Sequence, residues 1–461
     1  MTEADAREAV AEQHDVSFAE ATRMWARIGL LSFGGPAGQI ALMHRELVEQ
    51  RGWICETRFL HALNYCMVLP GPEAQQLAIY IGWLLHRTWG GVVAGVLFVL
   101  PGALVILALS MLYARFHGVA AVAALFFGLK AAVLAVVVEA LIRVAKRALN
   151  GRFFYGIAAA AFIALFVFQL PFPIVIAIAW LVGAGMQRVR PALFAAQEGQ
   201  TAHAEANSVV DRLFATGRLA HANPNTRRAL LTFVVWGALW LLPMLALVLW
   251  RGTESVHVQQ GVFFSQAAVV TFGGAYSVLA YVAQRAVDDF GWLRPGEMLD
   301  GLGLAETTPG PLILVLQFVA YLGAYRDPAE LGAVASGLLG AGICLWVTFV
   351  PCFLWIFLGA PYIEALRSSK ALSAGLKCIT AAVVGVILNL SVWFALHVLF
   401  ARLDHVELGP ARLDVPVMST LDEVSALIAI GALIALVRFK VAMPIVLASG
   451  ALLGFVYRMA I

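Results

Sequence analysis

Apolar residues fill long runs of the 461-residue chain, and short polar stretches separate these runs. A helix of about 20 apolar residues is long enough to cross the hydrocarbon core of a bilayer. The pattern predicts thirteen membrane segments and therefore an all-α polytopic membrane protein. The segments cover approximately residues 25–43, 59–85, 89–113, 118–142, 154–168, 173–186, 229–250, 259–283, 297–323, 332–358, 371–400, 421–438 and 441–457.

Glycine and proline interrupt four of these segments, and the interruptions repeat along the chain. The stretches Phe33-Gly34-Gly35-Pro36 and Pro70-Gly71-Pro72 recur as Phe272-Gly273-Gly274 and Pro309-Gly310-Pro311. Each stretch lies 239 residues before its counterpart, and Gly52-Trp53 recurs as Gly291-Trp292 at the same separation. We therefore expect two homologous repeats, each of which breaks its helices twice.

The repeats set the expected domain boundaries. Residues 1–186 form the first repeat, 187–228 an arginine-rich cytoplasmic linker, 229–250 an unmatched transmembrane helix and 251–461 the second repeat. Six crossings return the chain to its starting side and the seventh carries it across, so the repeats are predicted to be inverted. If the Gly-Gly segment is instead re-entrant, five crossings plus one would make the repeats parallel.

The distribution of basic residues predicts the orientation in the membrane. Cytoplasmic loops are rich in arginine and lysine, which favours a cytoplasmic N-terminus and an external C-terminus. In the second half of the chain, the basic residues are divided almost evenly between the two sides. In the first half, the external segments hold few arginines. Those external arginines are Arg45, Arg51, Arg58, Arg115 and Arg251.

Composition excludes several other classes of protein. Hydrophobic residues make up 61% of the chain and charged residues 13%, too few to cover the surface of a soluble domain of this length. The net charge of +3 gives no reason to expect a nucleic-acid partner. The acidic N-terminal stretch does not resemble a cleavable signal peptide. The five cysteines are expected to pack as small hydrophobic residues.

The helix breaks are the strongest candidates for a binding site. A broken helix is costly in a bilayer unless its freed backbone groups line a protein cavity. The N-terminus of a half-helix carries unpaired N–H groups and a partial positive charge, which suits an anion. Close helix packing through small residues is the structural alternative, but four breaks in register favour binding. The polar residues that follow the breaks of the first repeat are Gln39, Glu73, Gln75 and Gln76.

Other ionisable and polar residues are weaker candidates, because each also has a structural explanation. Lys130 lies well inside an apolar segment, and its repeat mate Lys377 is close enough to a segment end to reach the membrane surface. His44 and Arg45 stand near the first break or in a solvated loop. Glu139 and Arg143 are explained by a helix-surface pair. Asn64 and Glu306 are polar groups in apolar surroundings.

No motif for nucleotide chemistry is present in the sequence. Since GxxxxGK[ST] is missing, energy for transport is expected from an ion gradient or from the membrane potential. HExxH and other clustered metal ligands are missing too, so neither a metal nor another cofactor is expected. No enzymatic activity is expected either.

The motifs resemble those of a known family. Leu31-Ser32-Phe33-Gly34-Gly35-Pro36, then Gly52-Trp53, then Leu69-Pro70-Gly71-Pro72-Glu73-Ala74-Gln75-Gln76 resembles the chromate ion transporter family, in its long two-domain form. The resemblance implies a transporter of the bacterial inner membrane that exports chromate and confers resistance, with sulfate as the structural analogue. The second repeat departs from the first at three positions. Ala275, Leu312 and Ala283 stand where Pro36, Glu73 and His44 stand in the first repeat.

The resulting hypothesis is a secondary transporter for a tetrahedral divalent oxyanion. Its partners would be chromate or a sulfate-like oxyanion and the lipid bilayer, and a homodimer stays open. Backbone amides at the breaks, together with Gln75 and Gln76, would donate hydrogen bonds, while Arg45 and Lys130 would supply positive charge. The alternatives are a transporter of sulfate or another oxyanion, and an integral-membrane enzyme for lipid-linked substrates. The lack of a clustered catalytic constellation weakens the enzyme.

Overall fold

The all-α fold class is confirmed, because each of the thirteen predicted segments is a helix or a pair of helices. The structure is a computed structural model that describes residues 16–33, 35–67, 69–194, 208–216, 223–272, 275–294, 296–328, 330–362, 370–408 and 411–460. The first repeat contains α1 (Phe18–Leu31), α2 (Gly35–His44), α3 (Glu56–Cys66), α4 (Glu73–Phe116), α5 (Ala120–Ala148), α6 (Arg152–Phe166) and α7 (Phe172–Val189).

The remaining elements comprise the connection between the repeats and the second repeat. Helices α8 (Val209–Ala215) and α9 (Thr226–Arg251) form the connection. The second repeat contains α10 (Val256–Val270), α11 (Ala275–Gln284), α12 (Glu297–Thr307), α13 (Val315–Arg326), α14 (Ala333–Gly359), α15 (Lys370–Leu399), β1 (Leu403–Leu408), β2 (Ala411–Pro416), α16 (Glu423–Val437) and α17 (Met443–Ala460). The antiparallel hairpin of β1 and β2 was not expected from the hydropathy pattern.

Helix lengths separate the helices that are long enough to cross a bilayer from the shorter ones. Within the described ranges, seven helices are long and apolar enough to cross a bilayer: α4, α5, α7, α9, α14, α15 and α17. Helices α6 and α16 are apolar but only 15 residues long. Helix α4 contains a sharp turn, where Arg87 has a φ of 53°. The turn divides α4 into a short arm, residues 73–85, and a long arm, residues 88–116.

Helices α12 and α13 fold back on each other as a hairpin. Arg326, the last residue of α13, donates two hydrogen bonds of 2.7 Å to Glu297, the first residue of α12. It also donates one of 3.0 Å to the carbonyl of Trp292. Two helices in line would hold these ends roughly 40 Å apart at the usual rise of about 1.5 Å per residue. The chain therefore returns to the side from which α12 started.

The other three broken segments show contacts of the same kind. The rings of Phe263 and Tyr281, on α10 and α11, lie 5.3 Å apart. In the first repeat, Arg27 of α1 lies 3.7 Å from Glu46, which follows α2. The ring of Tyr65 on α3 is 6.2 Å from that of Tyr80 on the short arm of α4. Each broken segment is therefore a re-entrant hairpin with its Gly-Gly or Pro-Gly-Pro break at the tip.

The hairpins of the two repeats open toward opposite ends of the long arm of α4. At one end, His86 is in ring contact with Phe18, the first residue of α1, at 5.4 Å. At the other end, Tyr113 donates a 2.7 Å hydrogen bond to Asp300 of α12. These ends are 27 residues apart, which is roughly 40 Å of helix. The expectation of thirteen crossings is therefore wrong, because the four broken segments turn back. Outside the hairpins, the described residues contain four apolar helices in each repeat plus α9, and seven of these nine are long enough to cross a bilayer. If α6 and α16 also cross, each repeat has an even number of crossings, and α9 makes the arrangement compatible with inverted repeats.

The linker docks on the first repeat and corrects one detail of the predicted topology. The N–H groups of Val209 and Val210 donate to the carbonyls of Gly52 and Trp53, both at 3.1 Å, and Arg58 forms an ion pair with Asp211. The expectation that Arg45, Arg51 and Arg58 lie on the side opposite the linker is therefore wrong. The reason is that α2 returns the chain to its starting side.

The Arg58–Asp211 pair lies outside the membrane segments. Burial raises the pKa of Asp211, but hydrogen bonds from Ser208 and Arg58 outweigh this effect and hold the pKa below its ordinary value. The carboxylate therefore remains charged at neutral pH and can hold the linker against the first repeat.

Close helix packing interlocks the two repeats. A Cβ on Gly128 of α5 would lie 2.0 Å from the carbonyl oxygen of Gly450 on α17, so only glycine permits this approach. Gly128-Leu129-Lys130 recurs as Gly375-Leu376-Lys377 in the second repeat. Gly375 lies against α7, where an added Cβ would be 2.5 Å from Trp180 Cδ1. Each repeat thus packs one of its long helices on the last helix of the other repeat, and the hairpin tips are held between them.

This path of the chain predicts which loops share a face. In a cysteine-free background, Gln50→Cys and Thr216→Cys should react with a membrane-impermeant maleimide from the same side. Asp404→Cys, in the β-hairpin, should react from the opposite side. Labelling of intact cells against inverted vesicles measures this. Gln50→Cys and Asp404→Cys reacting from one side would contradict the hairpin arrangement.

Candidate anion site at the helix breaks

The four hairpin tips meet crosswise between the repeats. The N–H of Gly71 donates to the carbonyl of Thr271, and the N–H of Gly310 donates to the carbonyl of Ser32, both at 2.8 Å. The two donors, Gly71 and Gly310, are repeat mates at the 239-residue separation, and so are the two acceptors, Ser32 and Thr271. Gly71 and Gly310 have φ angles of 121° and 95°, which strain any residue with a side chain. Each Pro-Gly-Pro tip therefore contacts the residue that precedes the Phe-Gly-Gly stretch of the other repeat.

Glutamine side chains satisfy the carbonyl groups near the tips. The Nε2 of Gln39 donates to the carbonyl of Gly310 at 2.6 Å, and that of Gln76 to Pro70 at 2.7 Å. Gln317 donates from Nε2 to the carbonyl of Ala103 at 3.1 Å. These bonds cover partial negative charge that would otherwise repel an anion. The Nε2 group of Gln76 is therefore already bonded to the protein, which the sequence did not indicate.

Four helices begin at or just after the breaks. Helices α2, α4 and α11 begin at residues 35, 73 and 275, directly after a break, and α13 begins after a short 3₁₀ turn at Leu312–Leu314. The first N–H groups of a helix have no partner within the helix. Such amides are the groups at the tips that suit an anion.

Two arginines of α5 contribute charge on one side of the tips. Arg147 is the cation that acts on Glu73, the first residue of α4, and its Nη2 lies 3.5 Å from Met67 Sδ beside the Pro70 break. Arg143, one turn earlier, acts on Glu306. Arg147 therefore lies beside a break of the first repeat, while Arg143 is paired with Glu139 on its own helix.

Several buried polar atoms at the tips lack a hydrogen-bond partner within the described part of the chain. They are Oε1 of Gln39, Gln75 and Gln76, and Oε2 of Glu306. All four side chains are at most 3% exposed. Buried polar groups are normally satisfied. All four atoms are acceptors, so each needs a donor, such as a proton or an N–H or O–H group.

The residues predicted from the breaks thus come together. Phe33 is 43% exposed at its tip, Gly35 has a φ of 69°, and Pro36 is the second residue of α2. Gly34, Gly273 and Gly274 lie outside the described residues. The remaining predicted residues that the structure brings to the tips are Gln39, Pro70, Gly71, Pro72, Glu73, Gln75, Gln76, Glu306, Pro309, Gly310 and Pro311.

His44 and Arg45 belong to a different cluster, at the base of the first hairpin. His44 contacts Glu49 at 3.1 Å and also Glu56. Arg45 lies 3.8 Å from Glu46, and its own side chain is 55% exposed. Glu46 also pairs with Arg51 at 2.6 Å. This network ties the hairpin base together, and its charges are used within the protein.

The two predicted lysines make different contacts. Lys130 lies 3.2 Å from Asp300, whose side chain is 2% exposed. Lys377 donates a 2.9 Å hydrogen bond to the carbonyl of Phe194. Asn64 is exposed on α3. The structure therefore does not bring Lys130, Lys377 and Asn64 to the hairpin tips through any contact among the described residues.

Sequence reasoning missed Tyr276, Arg143 and Arg147 as members of the site. Tyr276 donates to Glu306, 30 residues away in the chain, and only the fold brings them together. Arg143 forms an ion pair with Glu139 one turn earlier, so it reads as a surface pair in the sequence. One signal in the sequence could have marked Arg143 as a candidate. It lies near the end of an apolar helix, four residues before Arg147.

Comparison with known proteins identifies the family. The model of the family described as Chromate transporter matches residues 19–184 and 258–455. The chromate transport protein of Cupriavidus metallidurans is 29% identical over 433 residues, 93% of this chain and 90% of that protein. The chromate transport protein of Pseudomonas aeruginosa is 33% identical over 377 residues, 81% and 80% of the two chains. No solved structure matches the chain. The chain belongs to the chromate transporter family.

Proposed function

We propose that this protein exports chromate from the cytoplasm and thereby confers chromate resistance. The observation that carries the proposal is the crosswise contact between the hairpin tips of the two repeats, each of which is followed by the N-terminus of a helix. Two relatives that match most of the chain are named chromate transport proteins. Membership of a transporter family also argues for transport and against an enzymatic role.

The site would have to replace the water around a dianion. Moving an ion from water into a low-dielectric interior is prohibitive unless fixed donors take over its hydrogen bonds. The first-turn amides of α2, α4, α11 and α13 would supply such donors. Arg147 would add positive charge beside the Pro70 break, whereas the charge of Arg143 is partly neutralised by Glu139. An inside-negative potential favours expulsion of an anion by about 2.3 kcal/mol per charge per 100 mV. Export can therefore proceed without ATP.

Chromate transport into inverted vesicles tests the proposal. Vesicles that contain the protein should accumulate chromate when a potential positive inside the vesicle is imposed, and much less when it is collapsed. Intact cells that express the protein should hold less chromate than cells with the empty vector. Equal chromate in both kinds of cell would overturn export, and another oxyanion would then be the better candidate.

The direction of export requires a defined orientation. We propose an inner-membrane protein with a cytoplasmic N-terminus, an external C-terminus and inverted repeats. The placement of residues 45–58 on the linker side strengthens the basic bias of that side. In the first half of the chain, only Arg115 and Arg251 are then left among the external arginines.

Sulfate is the second candidate substrate, since it shares the tetrahedral shape and the charge of chromate. Backbone amides recognise oxyanions by geometry and charge rather than by the central atom. We therefore expect excess sulfate to reduce chromate uptake by vesicles. A saturating sulfate excess that leaves chromate uptake unchanged would show that the site discriminates between the two ions.

The repeats are expected to contribute unequally. Gln75→Leu should reduce transport several-fold, because Gln75 is a buried polar residue at a tip, whereas its mate Leu314 is already apolar. Leu314→Gln is the matched variant and should have a smaller effect. Pro70→Ala should likewise reduce transport more than Pro309→Ala. Transport per unit of membrane-inserted protein is the measurement, and equal losses at the mates would indicate a symmetric site.

A further inference from the structure

Glu306 connects the two hairpin tips of the second repeat. It lies in the last turn of α12, three residues before Pro309. It accepts a hydrogen bond from Tyr276, the second residue of α11. The carboxyl group therefore bridges the Pro-Gly-Pro tip and the helix that follows the Gly-Gly tip. The corresponding positions of the first repeat hold Met67 and Ala37, so the connection exists once in the protein.

The surroundings of Glu306 leave half of its carboxyl group unsatisfied. Glu306 is 3% exposed, and its Oε2 has no hydrogen-bond partner in the described residues. The titratable and charged groups that face it are Tyr276 on α11 and Arg143 and Glu139 on α5. Arg143 is already held by Glu139 through hydrogen bonds to both carboxylate oxygens. Its positive charge is therefore shared between two carboxylates.

A charged carboxylate in this place depends on Arg143. A buried carboxylate is costly to keep ionised unless a cation and hydrogen bonds compensate the lost hydration. An oxyanion at the tips would draw on the charge of Arg143 and repel the carboxylate of Glu306. A proton on Oε2 removes that repulsion, and it converts the unsatisfied acceptor into an O–H donor.

We propose that Glu306 takes up a proton from solvent when an oxyanion binds at the hairpin tips. This inference rests on the proposed function. It adds that a proton is bound together with the substrate. In the step an O–H bond forms at Oε2, with the proton supplied by bulk water, and no other bond changes. A dianion that moves with one proton still carries one net negative charge outward. The membrane potential therefore continues to favour export, while an alkaline cytoplasm opposes it.

The inference is testable by proton uptake during binding. The purified full-length protein in detergent is mixed with sodium chromate in weakly buffered solution, at an alkaline pH where chromate is the dianion. A pH-sensitive dye measures proton uptake, and equilibrium dialysis measures bound chromate. The wild-type protein should take up about one proton per chromate. Its chromate affinity should weaken by up to about tenfold per pH unit as the pH rises, the limit for one linked proton.

Variants separate Glu306 from other buried carboxylates. Glu306→Gln should bind chromate without proton uptake and with an affinity that no longer changes with pH. Glu306→Asp should keep proton uptake. Asp300→Asn is the matched control, because Asp300 is also buried with one unsatisfied oxygen but is paired with Lys130. It should keep proton uptake. Size-exclusion chromatography verifies that each variant is folded.

The outcomes distinguish this inference from the proposed function. Chromate binding by the wild-type protein without proton uptake would overturn the role of Glu306 and leave chromate transport standing. Undiminished proton uptake by a folded Glu306→Gln variant would do the same. If the wild-type protein binds no chromate under any of these conditions, the proposed function falls, and this inference falls with it.

Discussion

Gly310→Ala is expected to reduce chromate transport by at least tenfold. Gly310 has a φ of +95°, and its added Cβ would lie 2.9 Å from Leu314 Cδ1 and 3.1 Å from the Cα of Gly102. The backbone conformation alone costs about 1–3 kcal/mol for a residue with a side chain. Because the Gly102 backbone cannot rotate away, the tip itself must move. Its N–H bond to Ser32 and the amides that follow it would then lose their alignment.

The measurement is chromate uptake by inverted vesicles, normalised to the protein inserted in the membrane. Gly237→Ala is the matched control, since Gly237 is a helical glycine with open space around its Cβ position, and it should transport normally. Gly71→Ala should have a smaller effect than Gly310→Ala, because its Cβ meets the movable side chains of Gln76 and Cys352. Wild-type uptake by Gly310→Ala would show that the tips do not hold the anion.

The repeat and its breaks could be found in the sequence because glycine and proline determine local backbone conformation. Gly71 and Gly310 need positive φ angles, and Gly52 and Gly291 share φ angles of 59° and 61°. Such requirements leave the same residues at the same positions in both copies. The positions of the helices could be predicted for a similar reason, since apolar length is a direct property of the chain.

The path of the chain through the membrane could not be predicted in the same way. A broken apolar run has the same hydropathy whether its two half-helices are in line or folded back. The hairpin is decided by contacts such as Arg326 with Glu297, which are 29 residues apart in the chain. In the first repeat those positions hold Arg87 and Arg58, so the pairing does not repeat. Arg58 instead pairs with Asp211 of the linker.

The candidate site shows the same limit. Gln39, Gln75 and Gln76 could be predicted because they follow the breaks directly. Arg143 and Tyr276 could not, because each reaches the tips from a helix that the break motifs do not mark. Lys130 and Lys377 are repeat mates, which suggests a shared role, yet one pairs with a carboxylate and the other with a backbone carbonyl.

Lys130→Ala is expected to lower the stability of the protein strongly, and transport with it. Asp300 is 2% exposed, accepts a hydrogen bond from Tyr113 and forms an ion pair with Lys130, and its Oδ1 has no partner among the described residues. Removal of one partner of a buried ion pair leaves an uncompensated charge and costs on the order of 3 kcal/mol. Thermal unfolding in detergent, monitored by tryptophan fluorescence, should therefore show a clear loss.

The double variant Lys130→Ala/Asp300→Ala distinguishes an ion pair from a substrate contact. If Lys130 serves mainly to neutralise Asp300, removal of both charges should restore much of the thermal stability and much of the chromate transport. If Lys130 contacts chromate, the double variant should regain stability but remain inactive. We expect recovery of both, because Lys130 is held 3.2 Å from the carboxylate and makes no contact with the hairpin tips among the described residues. A stable but inactive double variant would instead place Lys130 on the path of the anion.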